Sequence, residues 1–506
     1  MNAADPYSAA RIRRGALHLV GGKALTALAG VGTFLLLVRE LPVEQFGAYT
    51  ILFGLVELVD AVTGLGASQI LSRYVPELLV ERRHATLRRV VAMAMAFRVI
   101  ALALFLGAVF ALAPYVFPVL GLGNWQWAAK AYLAVVLVRV IELSLFAVLE
   151  SMLQQSIAQL GMSFVTALRF GAVAGASAQG LLDLEAVILI ELATDLIGLG
   201  ILLIGLIRKM PRHPGRADEN PAEWMRDSWR RMRDFGLKGY AQHLLIAPYT
   251  GSTNRLLVGG TLASVEVALF GFAQSVADLI HRYLPANLLA GIIRPVLTAR
   301  YVRDRQFADL QLAANLIFKI DAVLVCAAAV AIFAGGKPIL DLATHGKYGE
   351  GAVSLLLLMC ALLLAYSMRS VLDQVCHALE HNGPLIWANA LMLMSLAPGI
   401  ALLPIAGVYA LPAANLAGGV LACATVTWRL RREGFDFRYD ITGLTRLLAV
   451  TGAAMLTACG ARWVGAGWIA TSGGALATFA IALAVIGPFH PVEHRLVRSI
   501  FNRRPA

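Results

Sequence analysis

The chain has 506 residues, 59% of them hydrophobic and 15% charged, with a formal net charge of +12 and a mean hydropathy of +0.71. Soluble domains carry about 25% charged residues, so a chain this apolar lacks the polar surface to stay in water, and a soluble enzyme is excluded. The positive charge has no basic soluble domain to sit on, which argues against a nucleic-acid partner and assigns the basic segments to anionic lipid headgroups.

Apolar runs of about 20 residues recur from end to end, each long enough to cross about 30 Å of hydrocarbon as a helix. They predict an all-α polytopic membrane protein of about fourteen transmembrane helices. The first lobe, residues 1–207, holds six spans: Gly15 to Val38, Phe46 to Leu71, Val90 to Ala113, Ala128 to Glu150, Ile157 to Leu181 and Leu184 to Ile207. The first run carries Lys23 in its middle and is too long for a signal-peptide core, so it reads as a retained span. A basic linker, 208–235, follows. The second lobe, 236–430, holds six more: Gly236 to Gly260, Ser264 to Pro285, Ala313 to Ala334, Gly351 to Leu372, Gly383 to Pro404 and Gly407 to Leu430. Residues 431–506 add two spans, near Leu444 to Trp463 and Ile469 to Ile486, and a basic tail. Six spans, a basic linker and six spans form two pseudo-symmetric bundles, the repeat layout of transporters that rock two halves about a midplane site.

Charge sets the orientation. With the N-terminus in the cytoplasm, 30 of the 43 Lys and Arg fall on inside segments and five, namely Arg39, Lys130, Lys337, Lys347 and Arg462, fall outside. That asymmetry places both termini in the cytoplasm. The other eight cations lie within spans, where each costs about 2.5–3.5 kcal/mol on insertion scales unless it finds a partner. Counting depth along consecutive spans matches Lys23 with Asp60, Arg98 with Glu142, and Arg169 with Asp195. The last two matches read as structural, neutralising pairs. Arg139 has Glu142 one turn on, and Asp278 has Arg282 at i+4. Arg255 has no partner at its own depth, which makes it a candidate for an anionic ligand; the alternative is an arginine that snorkels to the outer interface.

His377-Ala-Leu-Glu380-His381 spells a zinc-peptidase pattern. It caps the inner end of a span, runs into the helix-breaking Asn382-Gly383-Pro384, and has no third ligand at a useful spacing, so it reads as a polar connector. The five cysteines show no CxxC spacing and read as packing residues. Gly22-Lys23-Ala24 lacks the rest of a phosphate-binding loop. Neither a metal nor a cofactor is called for.

The N-terminal stretch carries a further pattern: Arg14-Gly15, Gly21-Gly22, Val38-Arg39-Glu40-Leu41-Pro42, Phe46-Gly47-Ala48-Tyr49, Gly64-Leu65-Gly66, and Arg73-Tyr74 with Pro76-Glu77. With Asn254-Arg255-Leu256-Leu257 and Gly271-Phe272-Ala273 it resembles the bacterial polysaccharide flippases, which translocate lipid-linked O-antigen and exopolysaccharide units. Their superfamily includes the lipid II flippases and the multidrug and toxin extrusion exporters. Asn254 departs from the family, which often has an acidic residue there. The resemblance implies two six-helix bundles about a central cavity, an inner-membrane location, and a polyprenyl pyrophosphate carrying a glycan as substrate. It implies Lys23 and Arg255, one from each lobe, as pyrophosphate ligands, with Glu57, Asp60 and Asp278 lining the cavity or coupling transport to a proton or cation. Polysaccharide polymerase and chain-length proteins are the implied partners. A drug or cation antiporter of the same fold, and a membrane scaffold or enzyme of polysaccharide assembly, are the competing readings; Lys23 and Arg255 argue for an anion over a cation.

Overall fold

A computed structural model describes residues 9–152, 154–211, 220–288, 306–379, 381, 383–490 and 493. Most of the basic tail, the cluster Arg294 to Arg305, Arg212 and Arg216 of the linker, and Glu380 lie outside the described residues, as does the side chain of Lys23.

The described chain is helical throughout. In a bilayer no water can satisfy a backbone amide, so apolar segments bond internally as helices. Ten stretches among the described residues are long and apolar enough to cross a membrane. The chain divides into two compact units, residues 1–268 and 269–506.

The first unit begins with α1 (Ala9–Glu40), which stops at Leu41-Pro42, and α2 (Val43–Thr63). α3 (Ala67–Val80) and α4 (His84–Ala111) follow, then the short α5 (Ala113–Val119) and the spans α6 (Gln126–Ser151), α7 (Gln155–Ala178) and α8 (Leu184–Lys209). Asp183 caps α8 by accepting a hydrogen bond from the Ala186 N–H, and Arg208 and Lys209 close its last turn, where cations suit the helix dipole. α9 (Pro221–Ile246) starts on an Asn220 cap with proline at its first position. α10 (Gly251–Gly259) is only nine residues long. α1 packs on α7, α2 on α10, α6 on α8, and α7 on α8.

Two predicted spans are broken. The second ends at Thr63, and the chain turns through Gly64-Leu65-Gly66 before α3. Gly66 has φ +84°, and a Cβ there would meet the Gly236 carbonyl oxygen at 2.5 Å, so glycine alone suits both the turn and the close approach. The expected seventh span, Gly236 to Gly260, is discontinuous. Its first half belongs to α9, which extends back through part of the basic linker; Pro248 and a Thr250 cap then start α10 afresh.

α11 (Ser264–Tyr283) carries the chain across into the second unit, followed by α12 (Pro285–Leu288). The second unit continues with α13 (Phe307–Thr344), α14 (Glu350–Leu379), α15 (Gly383–Ala406), α16 (Ala410–Arg432), α17 (Ile441–Trp463) and α18 (Trp468–Ile486). α15 packs on α16, α13 on α14, and α17 on both α13 and α18.

Candidate functional site

The interior of the first unit holds a closed ionic network. Arg139, midway along α6, places Nη2 3.1 Å from Glu191 Oε2 and 2.8 Å from Asp195 Oδ2, and donates from Nε to Asp195 Oδ2 at 3.0 Å. Glu191 and Asp195 are four apart on α8 and share a face. Tyr49 of α2 donates to Glu191 Oε1 at 2.8 Å, and Tyr132 of α6 donates to Oε2 at 3.0 Å. Arg169 of α7 pairs with Asp195 Oδ1 and donates from Nε to Thr194 Oγ1 at 3.1 Å. Two cations thus face two carboxylates, and two phenols bring further donors to Glu191. The carboxylates are 2% and 1% exposed, where an unpaired charge is strongly destabilising.

Glu142 lies three residues beyond Arg139 and is buried, but it does not enter this network as an ion pair with Arg98. Its carboxyl presses against Gly198 of α8, where any Cβ would collide with it. Its Oε1 accepts no hydrogen bond among the described residues. Arg98 is held instead by Asp60: Nη2 pairs with the carboxylate, and Nη1 donates to the Asp60 carbonyl at 3.2 Å. The expected Arg98/Glu142 pair is therefore corrected. Depth alone matched them, but α4 also packs on α2. A Cβ at Gly64 would lie 3.1 Å from Arg98 Nη1, so the glycine leaves the guanidinium an unobstructed way to the end of α2. Glu142, on α6, faces α8.

A second polar contact joins α2 to α10. Ser252 donates to Glu57 Oε2. Arg255 is 2% exposed, and its Cζ lies 5.4 Å from the centroid of the Phe53 ring, a cation–π distance. Gly54 lets the two helices approach, since a Cβ there would meet the Ser252 carbonyl oxygen at 2.9 Å. Arg255 is thus a buried residue of the first unit, which contains Lys23 as well. Asp278, on α11 in the second unit, accepts from Gln274 Nε2 at 2.8 Å.

In the second unit Lys319 of α13 meets Glu493 at 2.7 Å and Asp440, the N-cap of α17, at 2.5 Å. Asp321 accepts from Ser367 Oγ at 2.6 Å and from the Ala286 N–H at 3.1 Å. Arg369 is held by Asp373 and by Asn389 Oδ1, both at 2.7 Å. Of the zinc-like motif, His381 pairs with Glu433 at 2.9 Å.

The sequence profile described as "Polysaccharide biosynthesis protein" matches residues 12–292, more than half of the chain and all of the first unit beyond its first eleven residues. The chain belongs to that family. No curated protein matches it. Among solved structures, the inward closed conformation of the lipid II flippase MurJ superposes with a TM-score of 0.69 at 10% identity, over 95% of this chain and 99% of that one. An inward-facing multidrug resistance MATE family transporter of the MOP superfamily gives a TM-score of 0.65 at 14% identity, over 81% of this chain and 95% of that one. The MATE multidrug transporter DinF-BH, solved as a complex, gives 0.54 at 14% identity, over 86% of this chain and 98% of that one. At these identities the likeness establishes the fold alone: a helical, multi-span arrangement like that of these transporters.

In this member of the polysaccharide biosynthesis family, sequence reasoning missed Glu191, Tyr49 and Tyr132. A signal for two of them was present. Glu191 and Asp195 are at i and i+4, and Tyr132 and Arg139 at i and i+7, so each pair lies on one helix face. Tyr49, on α2, left no such trace, because its partner Glu191 is 142 residues away.

Proposed function

We propose that this protein carries a polyprenyl-pyrophosphate-linked oligosaccharide across the bacterial inner membrane by alternating access, for surface polysaccharide biosynthesis. The observation that carries the reading is Arg255: a guanidinium buried on α10 within the family-matched region, seated by Phe53 and beside the Glu57–Ser252 contact. A guanidinium donates to phosphate oxygens in a bidentate fork, and such a charge contact counts for more inside the protein than in water. In this reading Lys23, on α1, is the second phosphate ligand. Glu57, Asp60 and Asp278 line the path or carry the coupling ion. No covalent step is needed. Both termini lie in the cytoplasm, with the two six-span lobes bounded near 207, 236 and 430, and the polymerase and chain-length proteins act on the translocated unit.

The test is polymer export in cells that depend on this protein. Arg255→Ala and Lys23→Ala should abolish export while membrane abundance stays near that of the wild type. Arg255→Lys should restore part of it, since a point charge still meets phosphate but loses the bidentate geometry. Wild-type export by Arg255→Ala would place the anion site elsewhere.

A further inference from the structure

The outer side of α4, α6 and α8 forms a groove of about 850 Å³. Each helix contributes a stripe at helical spacing: Met95 and Val99 on α4, Ile141 and Leu145 on α6, Leu203 and Ile207 on α8. Buried residues of the hydrophobic core form its floor, and its rim is exposed, with Leu203 at 45% and Ile207 at 59%. Among the described residues Arg88 is its one charged lining residue, and it sits at one end.

We propose that this groove binds one phospholipid with an anionic headgroup, its phosphate at Arg88 and its acyl chains along the stripes. Length and charge both select that occupant. From Arg88 to Ile100 along α4 the groove runs about 18 Å at 1.5 Å per residue, close to the depth of one leaflet, about half of the 30 Å hydrocarbon core. A polyprenyl chain would overrun it, whereas a phospholipid tail fills it. The end marked by Arg88 is basic. The two terminal turns of the three helices there carry Arg88, Arg89, Arg208 and Lys209 against one carboxylate, Glu150. A zwitterionic headgroup gains less from that field than an anionic one. By the positive-inside distribution this is the cytoplasmic leaflet.

The seat has a structural consequence. The same three helices carry Arg98, Arg139, Glu142, Glu191 and Asp195 toward the interior. A bound lipid closes their outer side and should stabilise the unit that holds the ionic network.

Native mass spectrometry of the delipidated full chain, titrated separately with phosphatidylglycerol, phosphatidylethanolamine and a polyprenyl phosphate, tests the proposal. The wild type should retain one phosphatidylglycerol in preference to phosphatidylethanolamine. Its thermal unfolding in detergent should shift upward with phosphatidylglycerol alone. Arg88→Gln should weaken phosphatidylglycerol binding about fivefold and leave phosphatidylethanolamine unchanged. Leu203→Trp fills the groove from its exposed rim and should abolish retention of both; Ile207→Trp is the independent variant if the first is not monodisperse. Equal retention of the two phospholipids by the wild type, or wild-type retention by the tryptophan variants, would overturn the proposal. So would displacement of phosphatidylglycerol by equimolar polyprenyl phosphate, which would assign the groove to the carrier lipid.

Discussion

The two units solve the problem of buried charge differently. In the first, Arg139, Arg169, Glu191 and Asp195 meet inside α6, α7 and α8, about two turns or more from the helix ends, and two tyrosines complete the donors around Glu191. In the second, Lys319 meets Asp440, which caps α17, and Glu493, which lies beyond the end of α18. Asp440 keeps 32% of its side chain exposed, so that network has a route to water. In the first, both carboxylates are buried, at 2% and 1% exposure, and only the arginines keep a fraction of their side chains, 12% and 19%, at the surface. Two carboxylates with no exposed partner carboxylate beside them cannot be relaxed by hydration, so both depend on the cations and phenols that hold them. That makes the first unit the more brittle of the two and the more sensitive to the charge of each member.

The largest expected effect follows from removing the shared acceptor. Asp195→Ala strands both Arg139 and Arg169, and losing one partner of a buried ion pair costs about 3–5 kcal/mol. Folded yield in membranes should collapse, and any protein recovered should unfold at a clearly lower temperature in detergent. Asp440→Ala in the second unit should cost less, about 1–3 kcal/mol, because water reaches Asp440 and Lys319 keeps Glu493 at 2.7 Å. Equal losses in the two variants would break the comparison, and would mean that Asp440 is as dry as Asp195 in the bilayer.

Tyr132→Phe sharpens it. The phenol donates to Glu191 and accepts from Arg139 Nη1 at 3.3 Å, so its hydroxyl links acid and base. A hydrogen bond to a charged group contributes about 1.5–3 kcal/mol. Tyr49→Phe should cost a similar amount, and the double variant should lose less than the sum, since both phenols serve one carboxylate. Strict additivity in thermal unfolding would show that the two hydroxyls act independently.

The sequence made the fold legible because hydrophobic runs of span length leave few alternatives. It hid the breaks within the second and seventh spans. Gly64-Leu65-Gly66 and Pro248 are visible as breakers, but a hydropathy window averages across them. Charge pairing was readable only where partners lie on consecutive helices or on one face. Arg98 shows the limit: its partner Asp60 is on α2, and the glycine that opens the way, Gly64, carries no charge signal. Tyr49 to Glu191 is invisible for the same reason, because the contact exists only once α2 and α8 are packed.

The smallest expected effect concerns Glu142, and it discriminates best. The network around it already balances two cations with two carboxylates. A charged Glu142 would add a negative charge with no cation of its own, pressed against Gly198, and its Oε1 accepts no hydrogen bond among the described residues. The neutral isostere should therefore be tolerated. Glu142→Gln keeps the shape that Gly198 accommodates, and should change stability by less than about 1 kcal/mol. Glu191→Gln, by contrast, removes a charge that Arg139 and both tyrosines hold, and should cost about 3 kcal/mol or more. The two variants differ by the same single substitution on neighbouring helices, so the ratio of their effects on unfolding temperature isolates the pairing from the packing. If Glu142→Gln proves as costly as Glu191→Gln, then Glu142 carries a paired charge in the membrane, and the network has three carboxylates rather than two.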